Sequence, residues 1–350
     1  MHYRKPRATV AGAAAGAVLV AGTLTGCSGH SSGAGARDAG AAIGVDLPRD
    51  DSDFWKSYAQ YLKAGVAEQG LDSVQITESH NDDAQLKSNL QKFEKDHVKA
   101  VAIAPQSTQN TEALFFDLFS HRINAVSVDT EPEHGEVYMV VRADNVAYGT
   151  KACEFLGKQL GGKGKVAELQ GALSSINGYE RSRGFATCMK KQFPGIQVIE
   201  LATDWKGDVA SAKLQSTLAA NPDLKGVYMQ AGGVFLQPTL TLLQQKGLLK
   251  PAGQSGHIAI VSNDGIPQEL DAIRRGDIDA TVSQPADLYA KYALYYAQAA
   301  AENKSFHTGP TDHDSTIISL PNGMEDRLPA PLVTKDNVDD KTLWGNHIVK

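Results

Sequence analysis

The stretch KAVAIAPQSTQNTEALFFDLFSHRINAVSVDT, residues 99–130, holds one complete structural unit. Val101-Ala102-Ile103-Ala104 is apolar at every position, as expected of a strand whose two faces are both covered by helices. The spacing predicts a strand over 99–104, a helix over 108–120 and a second strand over 123–128. A strand, a helix and another strand in close succession are the repeating element of a mainly parallel sheet.

The same alternation extends in both directions. Toward the N-terminus, strands are predicted at 42–46 and 73–78 and helices at 53–69 and 82–96. The first of these helices carries Trp55, Tyr58, Ala59, Leu62 and Val66 on one stripe. A short apolar run at 137–141 closes the first series. The second series begins after Asp144-Asn145, with strands at 165–170, 196–202, 225–230, 257–262 and 279–283. Its helices are predicted at 145–160, 178–192, 208–219, 233–245, 266–275 and 286–302. Gly161-Gly162-Lys163-Gly164, Asn221-Pro222-Asp223 and Pro251-Ala252-Gly253 punctuate it as turns. Two series of similar length in a chain of 350 residues predict an α/β protein of two lobes. The first is expected at 42–143 plus about 285–315, and the second at 144–284 plus about 316–345. Residues 303–350, rich in Pro, Asp and Asn, are expected to return across both lobes.

Ligands of open α/β sheets sit beyond the carboxyl ends of the strands. Polar and aromatic residues gather at those ends here: Asp50-Asp51-Ser52-Asp53-Phe54-Trp55, Asp129-Thr130, Asn177-Gly178-Tyr179-Glu180-Arg181, Asp204-Trp205, Gln230-Ala231-Gly232-Gly233, Asn263-Asp264-Gly265 and Gln284-Pro285. Such residues suit a sugar or polyol. Phe54, Trp55 and Trp205 can cover its C–H faces, Asp129 and Asp264 accept from its hydroxyls, Arg181 donates and Gln284 does both. Each also has a plainer reading. Ser52 or Asp53 can cap a helix, Phe54 and Trp55 can be core, Asp129 and Asp264-Gly265 can serve turns, and Arg181 can pair with a helical acid. It is their joint placement that points to a site.

The N-terminus addresses the location. Arg4, Lys5 and Arg7 precede an apolar run over 8–23, and Leu24-Thr25-Gly26-Cys27 follows, which looks like a bacterial lipobox. Residues 1–26 are therefore expected to be a signal peptide, Cys27 to carry lipid, and 27–41, rich in Gly, Ser and Ala, to be a flexible tether. Removing 1–26 takes the formal charge from −6 to −9. That balance speaks against nucleic acid as a partner and against a polybasic membrane patch. Of the three cysteines, Cys153 and Cys188 remain, either as a disulfide or as two buried thiols. No H-E-x-x-H, paired-Cys motif or Gly-x-Ser-x-Gly occurs, so neither a metal, a cofactor nor an enzymatic nucleophile is expected. A glycosidase would have to use Asp129 and Asp264 as its acid and base.

At these positions the chain resembles the ribose/galactose-type (type I) periplasmic sugar-binding proteins of ABC importers, over about residues 42–302. The resemblance rests on Phe54-Trp55, Val128-Asp129, Asp144-Asn145-Val146-Ala147-Tyr148-Gly149, Val166-Ala167-Glu168-Leu169-Gln170-Gly171, Glu180-Arg181-Ser182-Arg183-Gly184-Phe185, Asn263-Asp264-Gly265 and Thr281-Val282-Ser283-Gln284. It implies two Rossmann-like lobes with mainly parallel sheets, joined by a three-stranded hinge and closing on one monosaccharide. It also implies ligand contacts at Phe54, Trp55, Asp129, Arg181, Trp205, Asp264 and Gln284, and delivery by a monomer to a membrane permease or a membrane sensor. Thr130 stands where ribose-type members commonly have arginine, and Ala231-Gly232 where they have Asn-Asp. These three changes imply room for a ligand larger or less polar than ribose. A sugar-responsive DNA-binding regulator of the same fold would need a helix-turn-helix where this chain has its lipobox and tether.

Overall fold

The computed structural model describes residues 43–71, 74–105, 108 and 111–347. The expected signal segment, Cys27 and the tether fall outside the described residues. The first lobe begins β1 (Ile43–Leu47), α1 (Asp53–Glu68), β2 (Val74–Glu78), α2 (Asp83–Lys95), β3 (Ala100–Ile103), α3 (Glu112–Ser120), β4 (Asn124–Val128) and β5 (Met139–Ala143). The second lobe follows with α4 (Asn145–Gln159), β6 (Gly164–Gln170), α5 (Ile176–Gln192), β7 (Ile196–Ala202) and α6 (Gly207–Ala220). It continues with β8 (Leu224–Met229), α7 (Gly232–Gln245), β9 (Ala259–Asp264), α8 (Pro267–Arg275) and β10 (Ala280–Ser283). The chain then returns through α9 (Ala286–Ala301), β11 (Gly309–Pro310), β12 (Thr316–Leu320) and β13 (Gly323–Leu328), and ends with β14 (Leu332–Thr334).

Strand β3 shows why its sequence is apolar throughout. Val101 and Ile103 face a core shared with Leu86, Leu90 and Phe93 of α2 and Phe115 and Leu118 of α3. Ala100 and Ala102 face the opposite core, with Phe54, Tyr58 and Leu62 of α1 and the alanines 290, 293, 297 and 300 of α9. Small residues along α9 let it lie close to both α1 and the sheet. The second sheet is double-faced in the same way, with α6, α7 and α8 on one side and α4 and α5 on the other.

The first sheet has the order β11-β12-β13-β5-β4-β3-β1-β2 and the second β14-β10-β9-β8-β6-β7. Pairing is parallel except between β11 and β12, β12 and β13, and β10 and β14. Three passages join the lobes: after β5 at 143–145, after β10 at 283–286, and between β13 and β14 at 329–331. The last corrects the expected handover near residue 315. Residues 316–328 extend the first lobe, because β13 pairs in parallel with β5 while β12 folds back on β13 through Pro321-Asn322. All three passages leave strands at their carboxyl ends or enter them at the opposite face of the cleft, so that the strand-end loops of the two lobes meet. Among the described residues, no helix is long and apolar enough to cross a membrane.

Candidate functional site

The expected residues converge where the lobes meet. Strand β4 ends at Val128, and Asp129 turns the chain with a φ of 66°, a left-handed conformation that Asp tolerates better than most residues. Asp264, at the end of β9, has a φ of 121°, well outside the usual regions for a residue with a side chain. Asp204 and Trp205 are left-handed as well, at 53° and 56°. Non-glycine residues with positive φ also occur in turns elsewhere, at His80, Asn81, His97, Arg122, Asn303 and Asp314, so it is the 121° of Asp264 that stands out.

Arg181 is the hub. Helices α4 and α5 hold it by packing backbone to backbone: a Cβ added at Gly149 would lie 2.0 Å from the Arg181 carbonyl, and one at Gly184 2.3 Å from the Val146 carbonyl. A disulfide between Cys153 and Cys188, with Cα atoms 6.1 Å apart, ties the same two helices together. The guanidinium donates from Nε to Asn145 Oδ1 (2.6 Å), from Nη1 to the Gln230 carbonyl (2.5 Å) and from Nη2 to Gln284 Oε1 (2.7 Å). It therefore has no helical acid as partner. The Tyr148 ring lies 4.9 Å and the Trp205 ring 5.7 Å from its central carbon.

Asp129 accepts on Oδ2 from Asn177 Nδ2 (2.8 Å), and on Oδ1 from Gln284 Nε2 (3.1 Å) and Tyr289 OH (3.4 Å). Asn177 belongs to the second lobe, so its bond crosses the cleft. Burial raises the Asp129 pKa, opposed by the charges of Arg181 and Arg142. Asp264 Oδ2 accepts from the Gly233 amide at 2.8 Å. Burial pushes its carboxyl up to about 7, against the pull of Arg181. Gly233 itself lies against the start of α1: a Cβ there would sit 3.3 Å from Asp264 Oδ2 and 3.4 Å from the Ser52 Cβ.

The aromatic residues divide. Phe54 is buried edge-on among Trp55, Tyr289 and Trp344, with centroids 5.1, 5.8 and 6.1 Å away. Trp344 donates its Nε1–H to the Asp264 carbonyl at 3.1 Å, so Phe54 and Asp264 are linked through the C-terminal segment. Trp55 is half-buried and meets Tyr58 edge-on at 5.5 Å, in keeping with the apolar stripe of α1. Trp205 stacks on Phe235 at 6.3 Å and covers Gly171, where a Cβ would lie 2.1 Å from its ring. Ser52 caps α1 through the Trp55 amide (3.3 Å), and Asp53 Oδ2 accepts from Gln268 of the other lobe (2.7 Å).

Six of the seven expected residues thus lie where the lobes meet, with Asp129, Arg181, Gln284 and Asp264 in a single polar network, while the contacts of Trp55 are within α1 and the first-lobe core. The side chains do not line an open trough; they bond to one another with the lobes shut. Residues not anticipated as part of the network complete it. The Tyr289 hydroxyl oxygen accepts from the Ala143 amide N–H at 2.8 Å, while Asn145 positions Arg181. Arg142, which ends an apolar strand, is buried and binds Glu131 Oε2 (3.1 Å), Asn177 Oδ1 (2.9 Å) and Glu180 Oε2 (2.6 Å). A charged residue inside an otherwise apolar run was the signal available for it. The arrangement can do one thing well: present fixed donors, acceptors and ring faces from two bodies to a neutral polar molecule.

Known proteins share this plan. Residues 43–305 match the family described as the periplasmic binding protein domain. The xylitol-binding protein of Mycolicibacterium smegmatis is 26% identical over 329 residues, covering 93% of this chain and 85% of that protein. The D-apiose import binding protein of Paraburkholderia graminis is 28% identical over 317 residues, covering 86% and 92%. Among solved structures, the Caulobacter myo-inositol binding protein bound to myo-inositol superimposes with a TM-score of 0.73 at 21% identity, over 89% of this chain and 99% of that one. Two parallel sheets, three passages between them and a family match over most of its length lead to one conclusion: this chain belongs to the periplasmic binding protein domain family, with the type I fold.

Proposed function

We propose that this protein captures a sugar or polyol outside the cytoplasm by closing its two lobes on it, and delivers it to an ABC permease from a lipid anchor at Cys27. One observation carries the reading: acceptors and donors from both lobes, Asp129, Asn177, Arg181 and Gln284, meet in a single buried network at the carboxyl ends of the strands. Leaving such groups without partners costs roughly 1–3 kcal/mol each, so a cleft that opens must be re-satisfied by water or by a polyhydroxylated guest. The ring face of Trp205 suits the C–H surface of that guest. Opening separates Asn177 from Asp129, and ligand hydroxyls then take the freed positions, with closure by rotation about the three passages. The relatives support the ligand class, since those named above are a xylitol-binding protein and a D-apiose import binding protein.

The binding needs no covalent step. Asp129 and Asp264 are both held as acceptors by fixed donors, an arrangement for recognising hydroxyls rather than for passing a proton to a leaving group. A thermal-shift screen of residues 27–350 against pentoses, hexoses and polyols tests the function. A ligand at 100 times its Kd adds about 2.7 kcal/mol to the stability of the form that binds it. A shift with one or a few related compounds is expected; no shift with any of them contradicts the proposal. Labelling with radioactive palmitate, lost on Cys27→Ala, tests the anchor.

A further inference from the structure

A recess lies between the lobes beside the Asp129–Arg181 network, and none of the seven expected residues lines it. It is open to solvent, measures about 310 Å³ and takes its walls from both lobes: Glu131, Pro132 and Glu133 follow β4, while Leu173, Ile176 and Tyr179 come from the loop after β6 and the start of α5. It is therefore a walled space only with the lobes together. It adjoins the Asp129 network: Asp129 is two residues from Glu131, Asn177 adjoins Ile176, and Arg142 bonds both Glu131 (3.1 Å) and Asn177 (2.9 Å). Two further bonds join its walls, Asn177 to Asp129 at 2.8 Å and the Ile176 amide to Thr108 Oγ1 at 3.2 Å. Both run between lobes, so both break when the cleft opens.

The lining has the chemistry of a sugar subsite. Tyr179 and Leu173 are large apolar side chains left 51% and 46% exposed, beside Pro132, and can cover the C–H face of a ring. Glu131 and Glu133 supply acceptors; no cationic side chain is among the lining residues, and the exposed Arg183 guanidinium lies 5.8 Å from the Tyr179 ring. The nearest buried cation, Arg142, is already bonded to Glu131 and Glu180. A volume at the small end of the range for ligand pockets holds one ring, not a chain of them.

We propose that this recess is a subsite for the second ring of a glycoside whose first ring occupies the Asp129–Arg181 network, and that it takes neutral or amine-bearing rings in preference to carboxylated ones. The proposal rests on the binding function given above and specifies its ligand class further. Titration calorimetry on residues 27–350 tests it with four matched pairs: D-xylose and xylobiose, D-glucose and cellobiose, D-galactose and melibiose, and myo-inositol and galactinol. Cellobiouronic acid is added to test charge. In at least one pair the two-ring compound is expected to bind about ten-fold more tightly than the single ring. Tyr179→Ala, on an exposed side chain, is expected to abolish that gain while leaving the single ring's affinity unchanged. The carboxylated compound is expected to bind more weakly than cellobiose. If single rings bind and no two-ring compound gains, or if Tyr179→Ala leaves the gain intact, the subsite is overturned while the cleft reading stands. If no sugar or polyol binds at all, the cleft reading itself falls, and the subsite with it.

Discussion

Glu180→Ala removes one side of the ion pair that joins the lobes beside the binding network. Arg142 Nη2 and Glu180 Oε2 are 2.6 Å apart, and the Glu180 side chain is only 14% exposed, so solvent screens the bond little. A hydrogen bond to a charged group contributes about 1.5–3 kcal/mol net. Arg142 keeps Glu131 and Asn177, so no bare charge is left buried and the loss stays within that range. The two partners sit on different lobes, so the whole loss falls on the closed form. For a ligand that binds only that form, Kd rises by the same factor, about 10- to 150-fold. Calorimetry gives the Kd. Stopped-flow tryptophan fluorescence gives the rates, because two of the three tryptophans of the chain, Trp205 beside Arg181 and Trp344 between Phe54 and Asp264, lie at the interface. The dissociation rate is expected to carry most of the change. A variant that melts like the wild type and binds with unaltered Kd would show that closure does not draw on this pair, and would refute the reasoning.

Three further outcomes follow from the same geometry. Burial pushes the carboxyls of Glu168 and Glu269 up to about 8 and that of Asp264 up to about 7, so folding takes up protons above the ordinary carboxylate range. Their stabilisation is full below about pH 4 and is lost as pH rises through about 7 to 8, so the Tm should fall over that interval and fall less in Glu168→Gln; equal slopes would contradict it. Reducing the Cys153–Cys188 bridge, which closes a loop of 35 residues, should destabilise the second lobe by about 3–4 kcal/mol, read as a lower Tm in reductant that Cys153→Ala/Cys188→Ala no longer shows. Arg181→Lys cannot keep three bonds of fixed fork geometry to Asn145, Gln230 and Gln284, and should weaken binding by at least about ten-fold while leaving secondary structure unchanged by circular dichroism; full affinity in that variant would remove Arg181 from the site.

The parts of the fold that repeat a local rule were legible. Strand β3 is apolar on both sides because helices cover both sides, and the strand-end acids Asp129 and Asp264 stand where a parallel sheet puts its ligands. The C-terminal hairpin was not. Its turn, Pro321-Asn322-Gly323, is a good hairpin signal, but β13 contains Glu325, Asp326 and Arg327 and so shows no apolar alternation. Glu325 and Asp326 are buried all the same, because Arg327 bonds the first and Tyr296 and His313 bond the second. The partners of Asp326 are 30 and 13 residues away in sequence, and periodicity cannot see them. The same limit applied at the site. Arg181, Gln284, Asp129 and the strand-end Asn177 could be picked out by position, but Arg142 and Tyr289 matter through contacts that only the folded chain brings together. Trp55 follows the plainer of its two readings, half-buried on the core stripe of α1 against Phe54 and Tyr58.

The most direct trial of the account is a crystal structure of residues 27–350 grown with the compound that gives the largest thermal shift. It should show one ring on the Trp205 side of the cleft, with its hydroxyls on Asp129, Arg181 and Asp264, and with Asn177 moved off Asp129. Density for the compound at any other place, with the Asp129–Asn177 and Arg181–Gln284 bonds intact, would contradict it.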